Sequence, residues 1–363
     1  MVAFVLAMLA CRWDAETGLT ELLRFGDEFA GRRIPAVAGL PVASVPGKGY
    51  DGQFYAQLAV DPRVWRPEVQ RALDVPAYRA QRILLPLLAH LTGRPWWILH
   101  AFALTNVAAW LLFAFWWWRE TAELAPARAL WLWLAGVLSL GALDSLRFSL
   151  VDLPAALLLV VALRQQRAGR GGAATTLLGL AGLVRETALM SFPMIDAPGT
   201  VRRWAARALC LAPACLWFGW LRWHLPGGDG GFTGNFDWPG RALAAHLARC
   251  GWEISQGNWD SRFVWGAIGG LGFAFQSVHL LTHWWRQRAD PPPWLRASVL
   301  FALLFWCLGS YVWAGYWAVA RTCLPMTLAF NLTLPTGRGF RWRFALGNAC
   351  LLHGVYRLLP PLF

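Results

Sequence analysis

The sequence predicts an all-α, polytopic membrane protein, and three observations carry that prediction. Apolar runs of about twenty residues, the length needed to cross a bilayer core, recur through most of the chain after residue 95. Of the 363 residues 57% are hydrophobic and 15% charged, with 25 Trp and 21 Phe, whereas a soluble domain carries about a quarter charged residues. The arginines behind the net charge of +13 gather in short links between apolar runs. That is the positive-inside pattern, not the continuous basic face of a nucleic-acid binder. Nucleic acid is therefore excluded as a partner, and membrane lipids are the expected surroundings. Lys48 is the only lysine, and so strong a preference for arginine fits a GC-rich bacterial genome.

Taken in order, residues 1–11 are apolar and lack a basic leader, so they read as a first membrane helix rather than a cleaved signal peptide. Residues 12–95 form a large first extramembrane loop. It is expected to hold a short helix at 17–30, an extended stretch punctuated by Pro35, Pro41 and Pro46, and an interfacial helix at 83–92. Spans are then expected at 96–118, 127–145, 148–164, 172–184, 187–199, 205–223, 262–283, 295–313, 317–334 and 343–359. This makes about eleven membrane helices in one transmembrane domain, 1–363, without a repeat of fixed period.

Arginine placement sets the topology. The clusters Arg164/Arg167/Arg170, Arg202/Arg203/Arg207, Arg286/Arg288/Arg296 and Arg338/Arg341/Arg343 share one side only if 172–199 is a hairpin of two short helices bent near Arg185-Glu186. That side is then cytoplasmic. The first loop and a second loop at 224–261, containing Gly227-Gly228-Asp229-Gly230-Gly231, share the periplasmic face.

The chemistry points to Gly47-Lys48-Gly49-Tyr50-Asp51-Gly52-Gln53-Phe54-Tyr55. A carboxylate in such a loop can take a proton from an acceptor hydroxyl, or hold a divalent metal (Mg or Mn) against a phosphate leaving group. Gly49 and Gly52 let the backbone approach a substrate closely, and Tyr50, Phe54 and Tyr55 offer flat faces to a sugar ring. The plainer alternative is an Asp-Gly turn with aromatic anchors at the membrane interface. Arg79 and Arg82, three apart, share a face of any helix there. They suit the phosphate of a lipid-linked donor, or else pair with Asp74 or with lipid. Tyr78 and Gln81 add hydrogen-bonding groups.

Arg185-Glu186 interrupts an apolar run, which marks either a water-filled cavity or ion pairs that lock the hairpin. Asp144, Arg147 and Asp152 read as a turn salt bridge, with Asp144 and Arg147 at helix-pair spacing. Arg321 follows Tyr311, Trp313, Tyr316 and Trp317, and is either part of an aromatic belt or a phosphate ligand. The seven cysteines have no metal-ligand spacing and read as small core residues. His279 and His283 lack a third ligand. No phosphate loop, dinucleotide fingerprint or HExxH motif is present.

The stretch Gly49-Tyr50-Asp51-Gly52-Gln53-Phe54-Tyr55, then Asp61-Pro62, then Asp74-Val75-Pro76-Ala77-Tyr78-Arg79-Ala80-Gln81-Arg82-Ile83-Leu84-Leu85-Pro86-Leu87-Leu88, resembles the first periplasmic loop of bacterial integral-membrane proteins of the GT-C glycosyltransferase class. The nearest group is that implicated in cell-surface glycopolymer formation, similar to the polyprenyl-phosphate-sugar-dependent and PIG-V-like mannosyltransferases. Echoes recur at Leu183-Val184-Arg185-Glu186-Thr187 and Ala320-Arg321-Thr322-Cys323-Leu324-Pro325. The resemblance implies an inner-membrane enzyme that moves a sugar, with inversion, from a polyprenyl-phosphate donor to a cell-surface glycan or lipid acceptor. Asp51 is its implied base or metal partner. Tyr50, Gln53, Tyr55, Tyr78, Arg79, Arg82, Arg185, Glu186 and Arg321 are the substrate- or phosphate-binding candidates. The class often has an adjacent acidic pair where this chain has Tyr50-Asp51. The alternatives are a flippase or transporter of lipid-linked sugars, and a non-catalytic partner in glycopolymer assembly.

Overall fold

Helix α10 (Asp152–Arg167) packs against helices from both halves of the chain, in a computed structural model that describes residues 1–225 and 234–359. One buried carboxylate, Asp152, opens it, and Arg164 and Arg167 close it. Sixteen residues at the helical rise separate those ends by about 24 Å.

The chain enters through α1 (Val2–Ala10). Just beyond it the buried Arg12 pairs with Glu21 at 2.6 Å and donates to the Leu358 carbonyl at 3.3 Å, tying the first residues to the last helix. The expected helix at 17–30 is instead two 3-10 turns, Thr20–Leu23 and Asp27–Arg32. Arg24 breaks it by adopting the left-handed conformation (φ 54°). Between the turns, β1 (Phe25–Gly26) pairs in parallel with β2 (Ser44–Val45) after the one-turn α2 (Pro35–Ala38). The loop then runs through α3 (Gly52–Val60), α4 (Pro67–Ala72), α5 (Pro76–Ala80) and α6 (Leu84–His90). Proline occupies the first turn of α4 and α5, where its missing N–H costs nothing. Helix α6 buries Leu85 and Ala89 and exposes Leu87 and Leu88.

Next come α7 (Pro95–Leu124), α8 (Ala129–Val137), α9 (Leu140–Arg147), α10 and α11 (Gly171–Val184). The 3-10 segment Glu186–Met194 and α12 (Thr200–His224) follow. The break expected near Arg185-Glu186 is there, with Arg185 extended between α11 and that segment. The remainder is α13 (Arg241–Ser255), α14 (Ser261–Arg286), α15 (Pro293–Cys307), α16 (Ser310–Trp313), α17 (Tyr316–Thr322), α18 (Leu324–Thr333), α19 (Gly339–Gly347) and α20 (Leu351–Leu358). One contiguous core of buried residues runs from Val5 to Leu358. The glycine run at 227–231 lies outside the described residues.

Among the described residues, α7, α12 and α14 are long and apolar enough to cross a membrane, and the pair Pro126–Val137 and Leu140–Arg147, bent by 42°, makes a fourth crossing if counted as one. Several other expected spans are interrupted. The run at 317–334 is cut at Cys323, with Pro325 in the first turn of α18, and 295–313 is cut between α15 and α16.

The arginine clusters meet at one end of the bundle. Asp196 pairs with Arg203 at 2.6 Å and with Arg296 at 3.0 Å, and its carbonyl accepts from Gln166 at 2.9 Å. Arg164 and Arg167 hold the buried Glu120, which also accepts from Trp294 Nε1 at 2.9 Å. Arg128 donates to the carbonyls of Leu334 and Pro335. Cys210, Cys250, Cys323 and Cys350 are buried thiols, while Cys11 and Cys215 are exposed.

Candidate functional site

The other end of α10 carries the first loop, and two glutamines staple that loop in place. Gln53 and Gln57 lie one turn apart on α3 and are fully buried. Gln53 Oε1 accepts from the Gly26 amide at 3.0 Å, and its nitrogen donates to the Lys48 carbonyl at 2.7 Å. Gln57 accepts from the Ile34 amide at 2.9 Å and donates to the Ala72 carbonyl at 3.3 Å. Each satisfies loop backbone that burial would otherwise orphan. Gln53 is therefore a structural residue and does not face a substrate.

The glycines are also explained within the protein. Gly49 has φ +65°, and a Cβ there would sit 2.2 Å from the Arg24 carbonyl oxygen. A Cβ at Gly52 would lie 2.3 Å from the Phe148 carbonyl oxygen. Both let the chain approach its own backbone, and Gly49 also lines the cavity beside Asp51. Tyr55 is fully buried and offers no face to a sugar, whereas Phe54, largely buried, still lines the cavity beside Asp51. Tyr50 is half-buried and packs on Phe148 with centroids 4.7 Å apart.

Asp51 occupies the N-cap position of α3, yet its carboxylate makes no capping bond. It turns instead to Arg79, whose Nη2 donates to Oδ1 at 2.9 Å. The same guanidinium forks onto Asp74 at 2.8 and 2.7 Å and reaches the Tyr55 hydroxyl at 3.3 Å. That hydroxyl also accepts from Arg82 Nη1. Arg82, 1% exposed, closes a two-point bond with Glu186 at 2.8 and 2.7 Å and donates to the Tyr78 hydroxyl. Trp217 of α12 holds the end of α5 through the Ala80 carbonyl at 2.9 Å. Arg79 and Arg82 thus point to one side, as their spacing suggests, although α5 ends between them.

A second arm joins here. The Tyr50 hydroxyl accepts from Arg321 Nη2 at 2.9 Å and from Trp317 Nε1 at 3.0 Å. Arg321 lies 3.4 Å from Asp152 and 3.8 Å from Asp144. Arg185 bonds Asp152 at 2.8 Å and Thr322 at 3.0 Å. Asp144 pairs with Arg357 at 2.8 Å, correcting the expected Asp144–Arg147 bridge. Arg147 lies instead over the Phe148 ring, 4.9 Å from its centroid. Arg357 carried no local signal in the sequence, because its partner is 213 residues away.

Five carboxylates, those of Asp51, Asp74, Asp144, Asp152 and Glu186, thus meet five guanidiniums, those of Arg79, Arg82, Arg185, Arg321 and Arg357. The ensemble is close to neutral, which is how buried charge is tolerated. Asp51 is its open edge. Its side chain is 29% exposed and faces a cavity of about 460 Å³ whose rim includes Glu28, Arg32, Lys48 and Asp74. Burial alone would raise its pKa, but Arg79, Arg321 and Arg82 outweigh burial and hold it at about 2.

Glu186, Arg185 and Tyr78 open elsewhere, onto a narrow cavity of about 100 Å³ with Leu304, Leu308 and Val312 as its apolar side. The predicted site residues are therefore linked by bonds but face two spaces, with the Arg82–Glu186 pair in the wall between. A divalent metal at Asp51 does not fit. Asp51 and Asp74 are bridged by the Arg79 guanidinium, and among the described residues no three His, Cys, Asp or Glu side chains are grouped to hold an ion.

Comparison of the chain with protein families, curated proteins and solved structures found no match.

Proposed function

We propose that this protein is a membrane glycosyltransferase of the GT-C kind, moving a sugar from a polyprenyl-phosphate donor to a glycan or lipid acceptor on the periplasmic side of a bacterial inner membrane. In this reading α1, α10, α11, the segment Glu186–Met194 and the interrupted segments α15–α16, α17–α18 and α19–α20 add to the four crossings above to make about eleven membrane segments. The observation that carries the proposal is a partly open carboxylate, Asp51, bonded to an arginine at the rim of a cavity.

The neutral network suggests the mechanism. A donor phosphate brings negative charge to a site whose guanidiniums are already paired, so it must displace a carboxylate. Asp51 is held more weakly than its cavity neighbour Asp74, with one bond to Arg79 where Asp74 has two. Phosphate on Arg79 releases Asp51, and losing that cation raises its basicity toward the range a general base needs. Asp51 then takes the acceptor hydroxyl's proton as the acceptor oxygen bonds the anomeric carbon. The carbon–oxygen bond to phosphate breaks on the opposite face, its electron pair leaving with the lipid phosphate, which the arginines stabilise.

The test is transfer of radiolabelled sugar from polyprenyl-phosphate donors by purified protein. Asp51→Asn is expected to abolish transfer while leaving donor binding intact, and equal transfer by wild type and variant sinks the proposal. A second reading, a flippase for lipid-linked sugars, draws on the mixed polar and apolar cavity beside Arg185 and Glu186. It predicts that Asp51→Asn moves lipid across vesicles normally while Glu186→Gln does not.

A further inference from the structure

Charge balance fails on one flank of the Asp51 network. The guanidinium carbons of Arg24, Arg147 and Arg357 lie 5.7, 4.9 and 5.9 Å from the centroid of a single ring, that of Phe148. Arg357 is matched by Asp144 within the neutral network. Arg12, a fourth cation beside them, is matched by Glu21 at 2.6 Å. Arg24 and Arg147 are left over. Arg24 reaches only the Glu21 oxygen that Arg12 already holds, at 3.8 Å. Arg147 makes no ion pair and no side-chain hydrogen bond among the described residues; its contact is the Phe148 ring. Burial lowers the Arg24 pKa, Glu21 pulls it back, and the charges of Arg12 and Arg357 lower it further. Like charges are thus held within reach of one another.

Two observations separate this cluster from a chance crowding of surface charge. The first is access without solvation in full. Arg24 is 29% exposed and Arg357 18%. Arg147 is half-buried with its Nε enclosed, yet its two terminal nitrogens, like all three nitrogens of Arg24, are unbonded and open to solvent. Half-buried cations without counter-ions are costly, and these present their donors outward. The second is the backbone. Arg24 (φ 54°) and Ser149 (φ 48°) are the only non-glycine residues with positive φ among the described residues. One carries a cation of the cluster and the other follows Phe148 directly. Backbone strain of this kind persists where the surroundings impose it, and it gathers at functional sites.

Guanidinium forks match phosphate oxygens, and two surplus cations match a dianion. A phosphate monoester carries about two negative charges near neutrality, whereas a diester or a carboxylate carries one. We propose that Arg24, Arg147 and Arg357 bind a phosphate monoester beside the Phe148 ring. Arg24 and Arg147 supply the free donors, and Arg357, held by Asp144, adds its charge. The proposal does not rest on the glycosyltransferase reading.

The test is equilibrium dialysis of the full chain, in nonionic micelles and phosphate-free buffer, against radiolabelled glycerol 3-phosphate. Wild type is expected to retain it, to lose it to excess inorganic phosphate, and to keep it against dimethyl phosphate, a diester. Arg147→Gln and Arg24→Asn should each weaken retention about tenfold, the worth of one hydrogen bond to a charged group. Asparagine at 24 tolerates the left-handed backbone, and both changes remove a side chain without a hydrogen bond, so the circular dichroism spectrum should not move. Lys48→Gln, at the rim of the Asp51 cavity, should retain the ester as wild type does. Phosphatidic acid doped into the micelles presents the same monoester on a lipid. Its competition with glycerol 3-phosphate assigns the site to a lipid, and its failure to compete assigns it to a soluble ester. No retention, equal displacement by monoester and diester, or retention unchanged in Arg147→Gln and Arg24→Asn overturns the proposal. Loss of retention in Lys48→Gln also overturns it, moving the phosphate to the Asp51 cavity.

Discussion

Glu186→Gln isolates the bond that ties the first loop to the broken helix. Arg82 is 1% exposed and gives both nitrogens of one edge to Glu186. With the carboxylate neutralised, a buried guanidinium is left with two tyrosine hydroxyls and one amide oxygen. Breaking a buried pair from one side costs about 3–5 kcal/mol. Glu186 is 22% exposed, so water recovers part of the loss and the expectation is the lower end, ~3 kcal/mol. That is about a hundredfold in the folding equilibrium. The assay is reversible unfolding in mixed micelles followed by tryptophan fluorescence, run as a cycle with Arg82→Met and the double variant. The double variant should be more stable than the sum of the singles predicts, with a coupling of about 1–3 kcal/mol. A Glu186→Gln variant within about 0.5 kcal/mol of wild type, the range of an ordinary surface change, would refute the reasoning, as would a vanishing coupling.

Other outcomes follow from the same geometry. Asp51→Asn should lower sugar transfer by about 10²–10⁴-fold, the usual share of a general base, measured as initial rates at saturating donor. Because Asp51 is held at about 2, below the unfolded value of about 3.9, its stabilisation is present above the unfolded pKa and is lost as pH falls. The stability difference between wild type and Asp51→Asn should therefore be flat from about pH 8 to 5 and shrink between about pH 4 and 2, read from unfolding midpoints. Gly49→Ala combines φ +65° with a Cβ 2.2 Å from the Arg24 oxygen and should cost at least ~2 kcal/mol, whereas Gly39→Ala, which meets nothing within 4 Å, should stay near neutral. For topology, thiol labelling of Lys48→Cys and Arg288→Cys in sealed vesicles, on a background without exposed cysteines, should mark opposite sides. Labelling of both from one side breaks the proposed orientation.

What could be read from the sequence was what depends on neighbours along the chain. The apolar runs, the break at Arg185, the short helix α6 and the shared aim of Arg79 and Arg82 are all encoded within a few residues. The convergence of the four arginine clusters was also accessible, because charge asymmetry between links is a one-dimensional signal. What escaped were contacts whose partner is remote. Spacing assigns Asp144 to Arg147, but its partner Arg357 comes from the last helix. Gly52 and Gln53 look like ligand-facing residues beside Asp51 until the strand at Phe25–Gly26 and the turn at Phe148 are seen packed against them. The two-space geometry was equally hidden, since Asp51 and Glu186 belong to one bonded chain yet open to different cavities.

Lys48 has a practical consequence beyond its place on the cavity rim. It is the only lysine, so apart from the α-amino terminus the chain carries a single primary amine, exposed beside Asp51. With the α-amino terminus blocked, an amine-directed acylating fluorophore thus becomes a one-site optical reporter of whatever enters that space. It requires no engineered cysteine and leaves all seven native thiols untouched.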